Sequence, residues 1–207
     1  MNRKFVSKSN RVLRKVLNSE ENLDILQDFI ESILKIEIIE IKLNSYLEKK
    51  SNLLPAEENF GIADVRIRTK EQEEFNIGIQ FIDGYYVQNK MLLYYAQIHS
   101  NQLEYQDNRR VARTVTINLL DFNYFKTNEY FNKIVIPSKT ENQIELYLIE
   151  LSKFMINPYK TFSKQEAWMT YLCGEQEETI EKILKRFYKI KKLDNLLEEY
   201  WKNERME

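Results

Sequence analysis

FGIADVRIRTKEQEEFNIGIQF, residues 60–81, is the stretch on which the fold turns. Residues 62–69 and 75–81 each alternate with a period of two, and the polar run 70–74 joins them, so the pair reads as two adjacent strands linked by a turn. In the second strand Phe75, Ile77, Ile79 and Phe81 point one way, which sends Asn76, Gly78 and Gln80 to the opposite face. In the first, Val65 and Ile67 oppose Asp64, Arg66 and Arg68. Two polar faces are therefore expected side by side.

Working outward, residues 9–17 and 19–34 read as helices. The second has Ser19 as a suitable N-cap, Glu20 and Glu21 in its first turn, and a core face of Leu23, Leu26, Ile30, Ile33 and Leu34. Residues 35–43 then alternate through Ile36, Ile38, Ile41 and Leu43, which suits a strand at the edge of a core. On the other side, Met91, Tyr94, Tyr95, Ile98 and Gln102 recur at helical spacing within 87–105. Further strands are expected at 113–120, 131–136 and 143–151. From about Glu166 the chain turns helical, with Ile180, Leu184, Phe187, Ile190, Leu197 and Trp201 marking one long stripe. That stripe suits packing on the core, with pairing to another copy as the alternative. Helices, then a mixed run of strands around one helix, then helices again predict an α/β layer architecture.

Composition narrows the chemistry. The 207 residues carry 31 Lys and Arg against 32 Asp and Glu, a net charge of -1, so no global basic excess announces a duplex-binding domain. Two local clusters could still touch phosphate: Arg3, Lys4, Lys8, Arg11, Arg14 and Lys15 near the start, and Arg109, Arg110 and Arg113. The competing reading for each is a solvated face. One cysteine, Cys173, and one histidine, His99, are too few for a Cys/His zinc site, so any metal would sit on oxygens, as Mg²⁺ does. The lone cysteine, the lack of an apolar leader and the lack of a membrane-length apolar run lead us to expect a cytoplasmic protein.

Seven words in order resemble the PD-(D/E)XK nuclease family transposases, which include the recombination-promoting nucleases called Rpn. They are NRVLRKVLN at 10–18, NSYLE at 44–48, FGIADVRIRT at 60–69, FNIGIQ at 75–80, LYYAQIHSNQ at 93–102, VTINLLDFNYF at 115–125 and IELYLIELSKF at 144–154. The resemblance implies a restriction-endonuclease-like mixed sheet flanked by helices over residues 1–155, with a helical C-terminal extension at 156–207. It also implies Mg²⁺-dependent DNA cleavage, with an Asp on one strand and Glu-x-Lys or Glu-x-Gln on the next. Two such carboxylates hold a cation that polarises the phosphodiester and acidifies the attacking water.

Asp64 matches the first carboxylate and Gln80 the last member of the motif, but the second carboxylate's position holds Gly78. Losing one of two charged ligands should weaken metal affinity and transition-state stabilisation by several kcal/mol, about a thousandfold or more in rate. The expectation is a degenerate, inactive nuclease that needs no cofactor and binds nucleic acid or a protein partner, as decayed mobile-element or phage enzymes can. Arg66, Arg68, Arg11, Arg14 and Lys15 are the candidate binding residues, and a homodimer is compatible with the sequence. The alternative is an active Mg²⁺-dependent endonuclease with a displaced carboxylate, for which Asp83 is the nearest candidate metal ligand and Glu31 and Glu104 are others. A blander reading stands beside these, Asp64 as a solvated carboxylate paired with Arg66 or Arg68, and a further one makes Gly78 a point where a backbone or a ligand approaches closely, a binding role and not hydrolysis.

Overall fold

The computed structural model describes residues 10–44, 61–82, 87–105, 112–136, 144–154, 162–174 and 177–204, excepting the side chains of 10, 11, 101–105 and 204. The chain forms two compact units, one made of residues 38–153 and the other of 1–37 with 154–207. The helical C-terminus thus shares a unit with the N-terminal helices, a grouping that a division at residue 155 does not express.

The first unit is a six-stranded mixed sheet. Its strands are β1 (Ile38–Leu43), β2 (Gly61–Thr69), β3 (Glu74–Ile82), β4 (Arg113–Leu120), β5 (Phe131–Ile136) and β6 (Ile144–Glu150), in the order β1-β2-β3-β4-β6-β5. β2 runs antiparallel to both β1 and β3, while β3, β4 and β6 are parallel, and β5 closes the far edge antiparallel to β6. β2 and β3 are joined by a tight turn in which the Gln72 N–H donates to the Thr69 carbonyl at 3.0 Å. Gln72 holds φ at 65°, a left-handed setting that glycine would take more cheaply. The parallel step from β3 to β4 needs a crossover, and α3 (Val87–Tyr105) lies within it. The apolar face carries Val65, Ile67, Ile77, Ile79, Val115, Ile117 and Leu119, all essentially inaccessible to solvent.

The polar face departs from the alternation's simplest implication. Asp64, Asn76, Gln80, Thr114, Thr116 and Asn118 are all buried rather than solvated. A sheet with parallel strands is covered by its crossover helix, and α3 packs on β3 and β4.

The second unit is helical: α1 (Asn10–Leu17), α2 (Leu23–Leu34), α4 (Lys164–Cys173), α5 (Glu177–Arg186) and α6 (Tyr188–Glu204). α2 packs against α4 and α6, and α1 against α6. Phe29 meets Trp168 edge-on, Trp168 donates its indole N–H to Asp28 at 2.9 Å, and Lys189 and Lys192 both reach Asp24. The expected C-terminal stripe is present but belongs to two helices that meet at Phe187. Ile180 and Ile183 are buried from α5, and Ile190, Leu193 and Leu197 from α6. α4 begins at Lys164, earlier than the apolar pattern implies, because Ser163 and Glu166 form a reciprocal capping box that closes its first turn.

Candidate functional site

Register sets Asp64 directly opposite Gly78, and Gly78 in turn opposite Thr116 on β4. The two motif positions are therefore cross-strand neighbours on one face, as alternation predicts. Asp64 is 1 % exposed. Its Oδ1 accepts a hydrogen bond from Asn44 Nδ2 at 2.9 Å, and the same amide reaches Asn76 Oδ1 at 3.3 Å. Asn44 is itself held by its backbone N–H donating to the Asp64 carbonyl at 2.9 Å. Burial drives the Asp64 carboxyl up to about 7, with the Asn44 hydrogen bond opposing it in part.

Gln80 lies on the same face. Its Nε2 donates to Asn118 Oδ1 at 2.5 Å, and Asn118 Nδ2 donates to Thr116 Oγ1 at 3.1 Å and to the Tyr147 carbonyl at 3.0 Å. Among the described residues Gln80 Oε1 has no hydrogen-bond partner, although it is buried. His99, on α3, meets Thr114 Oγ1 through Nδ1 at 3.1 Å and stacks on Tyr95, which is a structural role.

The space beside Gly78 is occupied. A Cβ built there would lie 1.9 Å from Ile98 Cδ1 and 2.8 Å from Tyr94 Cε1. Tyr94 is fixed from the other side, since its hydroxyl lies 3.2 Å from the Ala63 carbonyl and 3.3 Å from that of Ile79. Gly61 meets the same ring, 2.8 Å from the phenolic oxygen to its own virtual Cβ. Two strand glycines thus cradle one tyrosine. The close approach that a mid-strand glycine signals is made here by the chain's own helix.

The expectation of a solvated Asp64 paired with an arginine is overturned. Arg66 pairs with Glu74 at 2.5 Å, and Arg68 pairs with Glu40, while Asp64 is turned to Asn44. Glu40 and Glu74 reach these two guanidinium groups from the neighbouring strands, β1 and β3. Lys15 donates to the Tyr200 hydroxyl at 2.8 Å, and Arg14 is only partly exposed. The Arg11 and Glu104 side chains and Asp83 lie outside the described residues. Glu31 belongs to the helical unit, where its carboxylate faces Lys164 at 3.6 Å.

A model of the PD-(D/E)XK nuclease family transposases matches residues 10–207. The chain belongs to that family. No curated protein and no solved structure matches it. The family match takes in the C-terminal helices, which a resemblance ending at residue 154 leaves out. The sheet, its crossover helix and its flanking helices agree with the restriction-endonuclease-like architecture this membership implies.

The donor set at the motif does not fit the divalent cation that such nucleases use. A hard dication takes anionic oxygens first, and among the described residues this corner offers one carboxylate, with an amide N–H already on one of its oxygens. The second anionic position is a glycine backed by an isoleucine methyl and a tyrosine ring. Among the described residues no group of three His, Cys, Asp or Glu side chains is arranged to hold a metal ion. No described helix is long and apolar enough to cross a membrane.

Proposed function

We propose that this chain is a non-catalytic member of its family that uses the nuclease fold as a binding scaffold. The observation that carries the reading is the filling of the Gly78 position by Ile98 and Tyr94. A carboxylate brought to the Gly78 position itself would have to enter a volume already packed with hydrocarbon. Charge supports a protein as partner over nucleic acid. Arg66 and Arg68 are already neutralised by Glu74 and Glu40, Lys15 is engaged by Tyr200, and the net charge is -1.

The alternative is Mg²⁺-dependent DNA cleavage through a displaced acid, for which Asp64 and Gln80 are the surviving motif residues. A plasmid-nicking assay in Mg²⁺ and in Mn²⁺ separates the two. The scaffold reading expects no nicking by the wild-type chain above that of Asp64→Ala. Nicking by the wild type that disappears in Asp64→Ala establishes the enzyme instead. A gel-shift series on plasmid and linear DNA then tests the partner class, with salt-sensitive retardation at physiological ionic strength counting for nucleic acid.

A further inference from the structure

The motif corner is closed from two sides, by the residue at position 78 and by the helix that lies over it. Tyr94 and Ile98 are one turn apart on α3, so they share a face of the helix, and they are 3 % and 1 % exposed. The Tyr94 hydroxyl reaches the Ala63 and Ile79 carbonyls, which belong to cross-strand partners on β2 and β3. Ala63 adjoins Asp64, and Ile79 stands between Gly78 and Gln80. The tyrosine is thus pinned across the two strands that carry the motif, and one turn further along Ile98 is set over Gly78. Its Cδ1 lies where the first side-chain atom of any residue at position 78 would begin. The end of an isoleucine can turn aside where there is room, but a side chain this deeply buried has little, since interiors hold few voids.

We infer that Ile98 is a second determinant of the absent metal site: a carboxylate introduced at position 78 does not by itself hold a divalent cation, and Gly78→Glu gains one only together with Ile98→Ala. The inference rests on the scaffold reading and goes beyond it, because that reading requires the carboxylate to be missing and not that its return should fail. The remainder of the motif is in place. Asp64 faces position 78 across the strand pair, and Gln80 Oε1, buried on the same face, has no hydrogen-bond partner among the described residues. Ile98 is the residue to shorten, because Tyr94 ties α3 to the strands through its hydroxyl whereas Ile98 contributes hydrocarbon alone. Ile98→Ala removes Cδ1, Cγ1 and Cγ2 and leaves that tie intact. With both changes the corner offers carboxylates from two neighbouring strands and an amide oxygen on the same face, the oxygen donors that a hard dication takes.

The test is a Mn²⁺ titration of the full chain at pH 8, followed by the paramagnetic resonance of the free ion and by melting temperature. It compares the wild type, Gly78→Glu, Ile98→Ala, the double variant and the double variant with Asp64→Asn added. Only the double variant should take up a stoichiometric ion and melt higher when Mn²⁺ is present. Without metal, its loss in melting temperature should be smaller than the sum of the two single losses, since the shortened side chain makes room for the longer one. Gly78→Glu that fails to fold while the double variant folds and binds is the same result in stronger form. Gly78→Glu that binds Mn²⁺ as tightly as the double variant overturns the inference. So does a double variant that folds no better than Gly78→Glu, or that takes up no more ion than its Asp64→Asn derivative. These outcomes leave the scaffold reading standing, whereas a stoichiometric ion in the wild type overturns both.

Discussion

Two buried carboxylates of the same sheet are held in opposite ways. Glu150, at the end of β6, is inaccessible to solvent and accepts from four donors: the backbone N–H of Tyr124 at 2.6 Å and of Phe125 at 3.3 Å, Asn132 Nδ2 at 3.3 Å and Lys153 Nζ at 2.7 Å. Asp64, almost as deeply buried, receives one side-chain hydrogen bond among the described residues, from the neutral amide of Asn44. A carboxylate kept for structure is surrounded by donors, including a cation, that offset its desolvation. Among the described residues Asp64 has no comparable shell. It stands opposite Gly78, at the position where the motif's first carboxylate is expected.

The comparison can be broken most forcefully at Glu150. Glu150→Ala strands Lys153 and two backbone N–H groups in the interior and should cost about 3–5 kcal/mol, read by chemical denaturation of the full chain. A change near zero would show that the donors are not holding the carboxylate at all.

At Asp64 the expected sign reverses. The unfolded chain ionises this group near pH 4, whereas the folded chain keeps the proton up to about 7. Between those values the folded state binds more protons, so stability falls as pH rises through that window and levels off above it. Asp64→Asn keeps an acceptor for Asn44 and removes the slope. It should match the wild type near pH 4 and exceed it by on the order of a few kcal/mol near pH 8, as melting curves across the range would record. A destabilised variant at the higher pH would mean that Asp64 has partners of the Glu150 kind.

The filled position gives a smaller effect. Gly78→Ala overpacks the contact with Ile98 and should cost about 1–3 kcal/mol, while Ile98→Val, which deletes the offending Cδ1, should cost about 0.5–1.5 kcal/mol alone. The double variant should lose less than the sum of the two. Strict additivity would show that Ile98 does not occupy the space. The smallest effect belongs to Arg66→Ala, whose pair with Glu74 is half-exposed and should be worth no more than about 1 kcal/mol.

Local periodicity made much of the fold legible. The alternation around Ile77 and Ile79 and the helical spacing of Met91, Tyr94 and Ile98 gave the strand and the helix that build the site, and alternation put Asp64 and Gly78 on adjoining polar faces, while register set them opposite each other. Other features lay beyond the reach of pattern. The break at Phe187 leaves the apolar spacing of the C-terminal helices almost undisturbed, so one stripe and two helices look alike in sequence. Grouping the C-terminus with α1 and α2 depends on long-range contacts such as Trp168 with Phe29 and Asp28. At the site, Gly78 announced a close approach, but which atoms approach depends on where α3 lies over the sheet. Its neighbour Gly61, facing the same tyrosine, is a signal that the sequence reading passed over. The pairings of Arg66 and Arg68 are cross-strand contacts with Glu74 and Glu40, which follow once register is known and not before.

Whether this corner can hold a divalent ion is decided most directly by titrating the wild-type chain and Asp64→Asn with Mn²⁺ and following the free ion by its paramagnetic resonance. The scaffold account predicts the same weak, unsaturable uptake for both proteins. A stoichiometric site in the wild type that is missing from Asp64→Asn would contradict it.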